Sequence, residues 1–192
     1  MLQPGDKKAL GVLGAVVAAS LAIIVGATAF LVTGAEKPLP KVSVQAGDHL
    51  TRVEPGFWCS VTMDSCHGRD DQGKIKLRIY QHPVAVGEQV SVSVPIEVSD
   101  GPWFLTAEFA TPRGVQREVW YHSPDTAFTQ LLDSEPDRVL LGIDISPISA
   151  VYIEATPTSP DGDFLPRGNF AVNTSPDGYK VTNTTPLPDV RR

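Results

Sequence analysis

The side chains best equipped for chemistry in this 192-residue sequence are two cysteines, four histidines and a short basic run. Cys59 and Cys66 share one stretch with Asp64 and His67, and thiolate, carboxylate and imidazole are all zinc ligands. Their spacing matches neither a C-x-x-C redox pair nor a zinc knuckle, so neither a metal nor a cofactor is expected. In an oxidising compartment the two thiols would instead form a disulfide, closing a loop of about eight residues for a gain of about 2.5 kcal/mol in chain entropy. Phe57 and Trp58 beside them are expected to pack rather than to form a binding platform.

The histidines at 49, 67, 82 and 122 are scattered, and no G-x-S-x-G, S-x-x-K or H-E-x-x-H motif surrounds them. No catalytic residue is assigned, which leaves a hydrolase only if its site assembles in space. Residues Gly68 to Ile75 come close to the phosphate-binding P-loop. Ile75, however, stands where the magnesium-binding hydroxyl belongs, and an alternating strand-like run follows in place of a helix. Lys74, Lys76 and Arg78 alternate with apolar residues, so on a strand they form a cationic face able to hold an anionic glycan or a lipid head group. The same charges would also protect a sheet edge. Trp120 alternates with Gln116, Glu118 and His122 on what reads as a polar face. Asp161-Gly162-Asp163 lacks the further oxygens of a calcium loop and reads as a turn.

The elements that must position these groups divide at residue 36. Residues 9–35 contain no charge, and as a helix they would span about 40 Å, more than a bilayer core of about 30 Å. Lys7 and Lys8 precede the run, which by the positive-inside tendency puts residues 1–8 in the cytoplasm and the rest of the chain outside. A cleaved signal peptide is the competing reading, with Ala27-Thr28-Ala29 and Thr33-Gly34-Ala35 as cleavage sites; the run is longer than such peptides usually carry. Either way the following chain is exported, and that location favours the disulfide. Gly14, Ala18, Ala22 and Gly26 recur every fourth residue, a stripe that would admit a second transmembrane helix.

Glu36 to Lys41 contains two prolines and reads as a stiff linker. Beyond it the dominant period is two. Alternating apolar sets occur at Lys74 to Tyr80, at Gln89 to Val98 and at Trp103, Leu105, Ala107 and Phe109. Further sets are Val139, Leu141, Ile143 and Ile145, then Val151, Ile153 and Ala155. Val42 to Gln45, Val115 to Tyr121, Asn169 to Asn173 and Tyr179 to Thr182 are weaker examples. Turn signals such as Asp100-Gly101-Pro102, Pro112-Arg113-Gly114, Pro160-Asp161-Gly162 and Pro176-Asp177-Gly178 separate them. The pattern predicts an all-β, immunoglobulin-like β-sandwich over 42–182, preceded by one transmembrane helix and followed by a loose tail at 183–192. Pro95 should mark an edge or a bulge. Without Asp6, Lys7 and Lys8 the exported part has 14 basic and 21 acidic residues, an acidic balance that argues against nucleic acid as a partner.

Val92-Ser93-Val94-Pro95-Ile96-Glu97-Val98, followed by Gly101-Pro102-Trp103, resembles an actinobacterial envelope family known as domain-of-unknown-function family 2771. The paired cysteines from Trp58-Cys59 to Asp64-Ser65-Cys66 and the apolar N-terminal segment fit the same pattern. The resemblance implies a membrane or exported protein of a mycolate-type envelope and carries over no catalytic residues. The expectation is a non-enzymatic accessory or scaffold subunit that binds another envelope protein. The alternative is a module for an envelope lipid or anionic glycan using Lys74, Lys76 and Arg78.

Overall fold

The structure is a computed structural model and describes residues 4–33, 38–68, 74–75, 77–155 and 162–192. The chain divides into two compact units, Met1–Pro38 and Leu39–Arg192. In the first, helix α1 (Pro4–Thr33) starts ahead of the apolar run, at a proline whose missing N–H costs nothing in a first helical turn. Its segment Leu10–Thr33 is 24 residues long, none of it buried, and long and apolar enough to cross a membrane or to serve as a signal sequence.

The second unit runs β1 (Val42–Ala46), β2 (His49–Val53), β3 (Phe57–Cys59), β4 (Cys66–His67), β5 (Ile79–Gln81), β6 (Gln89–Ser93) and the one-turn helix α2 (Ile96–Ser99). It continues through β7 (Trp103–Thr111), β8 (Gly114–His122), β9 (Thr129–Asp133), β10 (Val139–Ile153), β11 (Asp163–Pro166), β12 (Gly168–Asn173) and β13 (Val190–Arg191). One sheet has the order β2-β1-β6-β9, the other β13-β8-β7-β10-β12-β3-β4, with β11 beside β10 and β5 beside β12. If β1, β6 and β9 are strands A, B and E, and β8, β7, β10 and β12 are C′, C, F and G, the order A-B-E against C′-C-F-G is that of an immunoglobulin-like sandwich. The inner faces share one core, with Val42, Val44, Val90 and Val92 on one side and Trp103, Leu105, Phe109, Ile145 and Phe170 on the other. Cys59 and Cys66 form a disulfide across the β3–β4 pair.

The structure corrects several sequence readings. The strand expected from Lys74 to Tyr80 is confined to β5, and its apolar positions face the other way: Leu77 and Ile79 are exposed, while Tyr80 packs on the core. Parallel pairing of Ile79, Tyr80 and Gln81 with Ala171, Val172 and Asn173 sets that parity, which the sequence alternation cannot reveal. Pro95 ends β6 at Ser93 and precedes α2, so it is neither a bulge nor an edge residue within a longer strand. The sets around Val139 and Val151 belong to one strand, β10, and a bulge between Leu140 and Gly142 turns Leu140 inward in place of Leu141. Tyr179 to Thr182 forms no strand. Pro40 is buried, and Lys41 holds Glu54 at 2.8 Å, so the linker's second half belongs to the sandwich.

The supposed polar face of β8 points inward. Glu118 is buried opposite Ala107, and Trp120 packs against the core. The expected loose tail supplies part of the explanation, because it lies along β8 with Leu187 N donating to Val115 O and β13 pairing with Glu118 and Val119. Arg192 Nε donates to Glu118 Oε2 at 3.1 Å, and Arg138 Nη2 lies 2.6 Å from Oε1 with its guanidinium over the Phe109 ring. One buried carboxylate thus joins β8, the start of β10 and the tail. Removing it strands a guanidinium against the core, so Glu118→Ala should lower unfolding stability by about 3 kcal/mol. Urea denaturation of the variant beside wild type measures this.

Candidate functional site

The outer face of the larger sheet carries the candidate site. Because side chains alternate, the residues of β7 between the core positions, Phe104, Thr106 and Glu108, face outward. The strand registers extend this face into rows. Arg117 pairs with Glu108, Glu108 with Gly142, Gly142 with Asn173 and Asn173 with Gln81. The next row is Val119, Thr106, Asp144, Ala171 and Ile79, and the one after it begins Tyr121, Phe104 and Ser146. Gly142 and Ala171 contribute almost no side chain in the middle of the grid. The surface therefore sinks into a trough of about 490 Å³ with Ile79 and Gln81 along one side and Glu108 and Arg117 along the other.

Asp144 lies partly buried in the trough wall. Its Oδ1 accepts from Ser146 Oγ at 2.8 Å, and its Oδ2 accepts from Asn169 Nδ2. Burial holds the carboxyl above the usual carboxylate range; those two hydrogen bonds and the charge of Arg117 only partly oppose that. Arg117 comes no nearer than 3.9 Å to the carboxylate of Asp189, and Glu108 is exposed. The trough thus offers a carboxylate bonded only to neutral donors, with further acceptors on Glu108, Asn173 and Gln81. That chemistry suits a hydrogen-bond donor or a cation.

The residues singled out from the sequence lie elsewhere. Lys74 is exposed, Lys76 is outside the described residues, and Arg78 donates to Glu54 at 2.8 Å, on the carboxylate that also holds Lys41. These two cations hold Glu54 below the usual carboxylate range, Lys41 contributing most, so the expected row of free charges is not formed at Arg78. Most of the P-loop-like segment, residues 69–73, and Pro160-Asp161 of one turn also lie outside the described residues. Gly14, Ala18, Ala22 and Gly26 are exposed on α1, with nothing within 4 Å of the space a Cβ would take at Gly14 and Gly26.

The four histidines do not converge. His82 is buried on Thr51, with Nδ1 and Oγ1 2.8 Å apart, and His122 stacks on Trp103 with centroids 4.1 Å apart. Burial lowers the pKa of both. Phe57 is buried, and Trp58 lies edge-on to Phe170 over Gly168, where a Cβ would come within 2.7 Å of its ring. The guanidinium of Arg167 covers the same indole at 4.6 Å and bonds Glu97 O and Asp100, which explains a buried arginine that the sequence did not flag.

Fold and site together define an immunoglobulin-like module behind one apolar helix. Residues 35–159 match the family model described as Protein of unknown function (DUF2771), nearly two thirds of the chain, and the protein belongs to that family. No curated protein and no solved structure matches the chain.

The raised pKa of Asp144 has a definite sign in stability. A carboxyl easier to protonate when folded stabilises the fold below its unfolded pKa, and that contribution disappears as pH rises through the folded value. Asp144→Asn should therefore leave the domain at least as stable as wild type at pH 7, with its advantage shrinking toward pH 3. Denaturant midpoints of both proteins across that range provide the check.

Proposed function

We propose that this chain is a membrane-anchored, extracytoplasmic accessory or scaffold subunit, without catalysis of its own, that binds another envelope protein through the outer face of its larger sheet. The observation that carries the reading is the outer face of β8, β7, β10, β12 and β5, which carries no further strand among the described residues and joins the aromatic pair Phe104 and Tyr121 to the trough. Aromatic side chains beside a concave polar patch are typical of interaction surfaces. The histidines support it too, since two serve the core and the others stand apart on β2 and β4. Lys7 and Lys8, ahead of the apolar run of α1, favour an inside N-terminus, with the sandwich outside and its disulfide in an oxidising space. The actinobacterial, mycolate-type envelope is the setting that the motifs around Trp58-Cys59 and Gly101-Pro102-Trp103 suggest. The lipid or glycan alternative draws less support, because Arg78 is already paired with Glu54.

In-cell cross-linking of tagged full-length protein, followed by gentle solubilisation and mass spectrometry, tests the proposal. A reproducible protein partner is expected, with recovery reduced about tenfold by Tyr121→Ala, as for loss of one interfacial aromatic anchor. A free monomer in mild detergent that cross-links to no protein would sink it.

A further inference from the structure

Resting on that reading, we infer that the trough is a receptor for a basic side chain of the partner protein: an arginine or lysine whose charged end meets Asp144 and whose aliphatic stem lies along Ile79 and Leu141. Three features of the face support it. The first is shape, because Gly142 and Ala171 open a trough of about 490 Å³ in a sheet that would otherwise be level, enough for one long side chain with its hydration. The second is charge. Asp144 receives only the neutral donors Ser146 and Asn169, and Glu108 stands beside Gly142 in the next row. Arg117, the cation along the rim, pairs with Asp189 at 3.9 Å and donates no hydrogen bond to Asp144, whose charge it offsets only in part. An arriving cation would find a partly desolvated carboxylate already oriented by two hydrogen bonds, the arrangement in which a charge pair contributes most to recognition. The third is the division of the lining between apolar and acceptor groups, with Ile79 and Leu141 on one hand and Gln81 and Asn173 on the other. A long amphipathic side chain needs both.

The domain's acidic balance, 14 basic against 21 acidic residues beyond position 35, would steer a basic segment toward it. Among the described residues the other buried charges are Arg167, matched by Asp100, and Glu118, matched by Arg138 and Arg192.

The test uses the isotopically labelled full chain in detergent micelles, with N-acetyl-argininamide as the probe and N-acetyl-citrullinamide as its neutral isostere. Saturable amide shifts at Gly142, Asp144 and Ala171 are expected with the arginine probe, about tenfold weaker with citrulline or in Asp144→Asn, as for one charge-assisted contact. Gly142→Ala raises the trough floor while keeping every charge, and its new Cβ would meet only Val172 O, at 3.4 Å; it should weaken binding as well. Asp133→Asn, on the other sheet, should not. Equal response to both probes, or full response in Asp144→Asn, would overturn the inference. A cross-linked partner retained at wild-type level by Asp144→Asn would overturn it too while leaving the accessory reading intact. Argininamide shifts that depend on Asp144, in a chain that captures no protein, would sustain the trough as a site for a basic group while removing the accessory reading and, with it, the partner protein as the source of that group.

Discussion

Four side chains of β7, Trp103, Leu105, Ala107 and Phe109, are wholly shielded from solvent, and they press on a valine surface that β1 and β6 supply through Val42, Val44, Val90 and Val92. Burying each of the larger ones contributes about 1.5 to 3 kcal/mol, so the group outweighs any single polar contact in the domain. Strand alternation then leaves Phe104, Thr106 and Glu108 no direction but outward. Antiparallel registers carry the same parity to β8 and β10, and from β10 to β12. A slip of one residue would exchange core and trough.

Two buried or partly buried carboxylates show opposite solutions to the cost of desolvation. Glu118 faces the core and takes a guanidinium on each oxygen, one from Arg138 and one from Arg192. Asp144 faces outward, has neutral donors only, and is pushed toward its protonated form. A carboxylate bound on both oxygens by arginines from distant parts of the chain closes a structure. The other stays partly desolvated in an open trough, where Ser146, Asn169 and the charge of Arg117 only partly oppose the cost of burial.

How far the sequence foretold this depended on whether an element's environment was contained in its own residues. β7 was legible because its apolar alternation runs through Trp103, Leu105, Ala107 and Phe109 without a break, and α1 because 27 uncharged residues admit few alternatives. β5 was misread because its parity depends on pairing with β12, about ninety residues later. Glu118 looked like a solvent residue because the arginines that neutralise it lie 20 and 74 positions away. The trough was invisible for the same reason. Glu108, Gly142, Asp144 and Asn173 carry no shared motif in the sequence, and only the registers place them side by side.

The long strands β8 and β12 are each paired on their outer side, so the larger sheet ends in the two-residue strands β13 and β4. An unpaired strand edge is the usual alternative to a face, since it accepts an added strand through its backbone. Along β8 that position is taken by the chain itself, through Pro186, Leu187, Val190 and Arg191. Gly114 shows how closely the tail is fitted: its φ of +146° lies where side chains are rarely tolerated, and a Cβ there would sit 2.1 Å from Thr185 O. Along β12 both halves are occupied, by β5 at Ala171 to Asn173 and by β3 at Gly168 and Asn169. Backbone addition to either strand would first have to displace native pairing, whereas contact through the outer face leaves that pairing in place. For this sheet the proposed partner would read the side chains of the face, those around Asp144 among them.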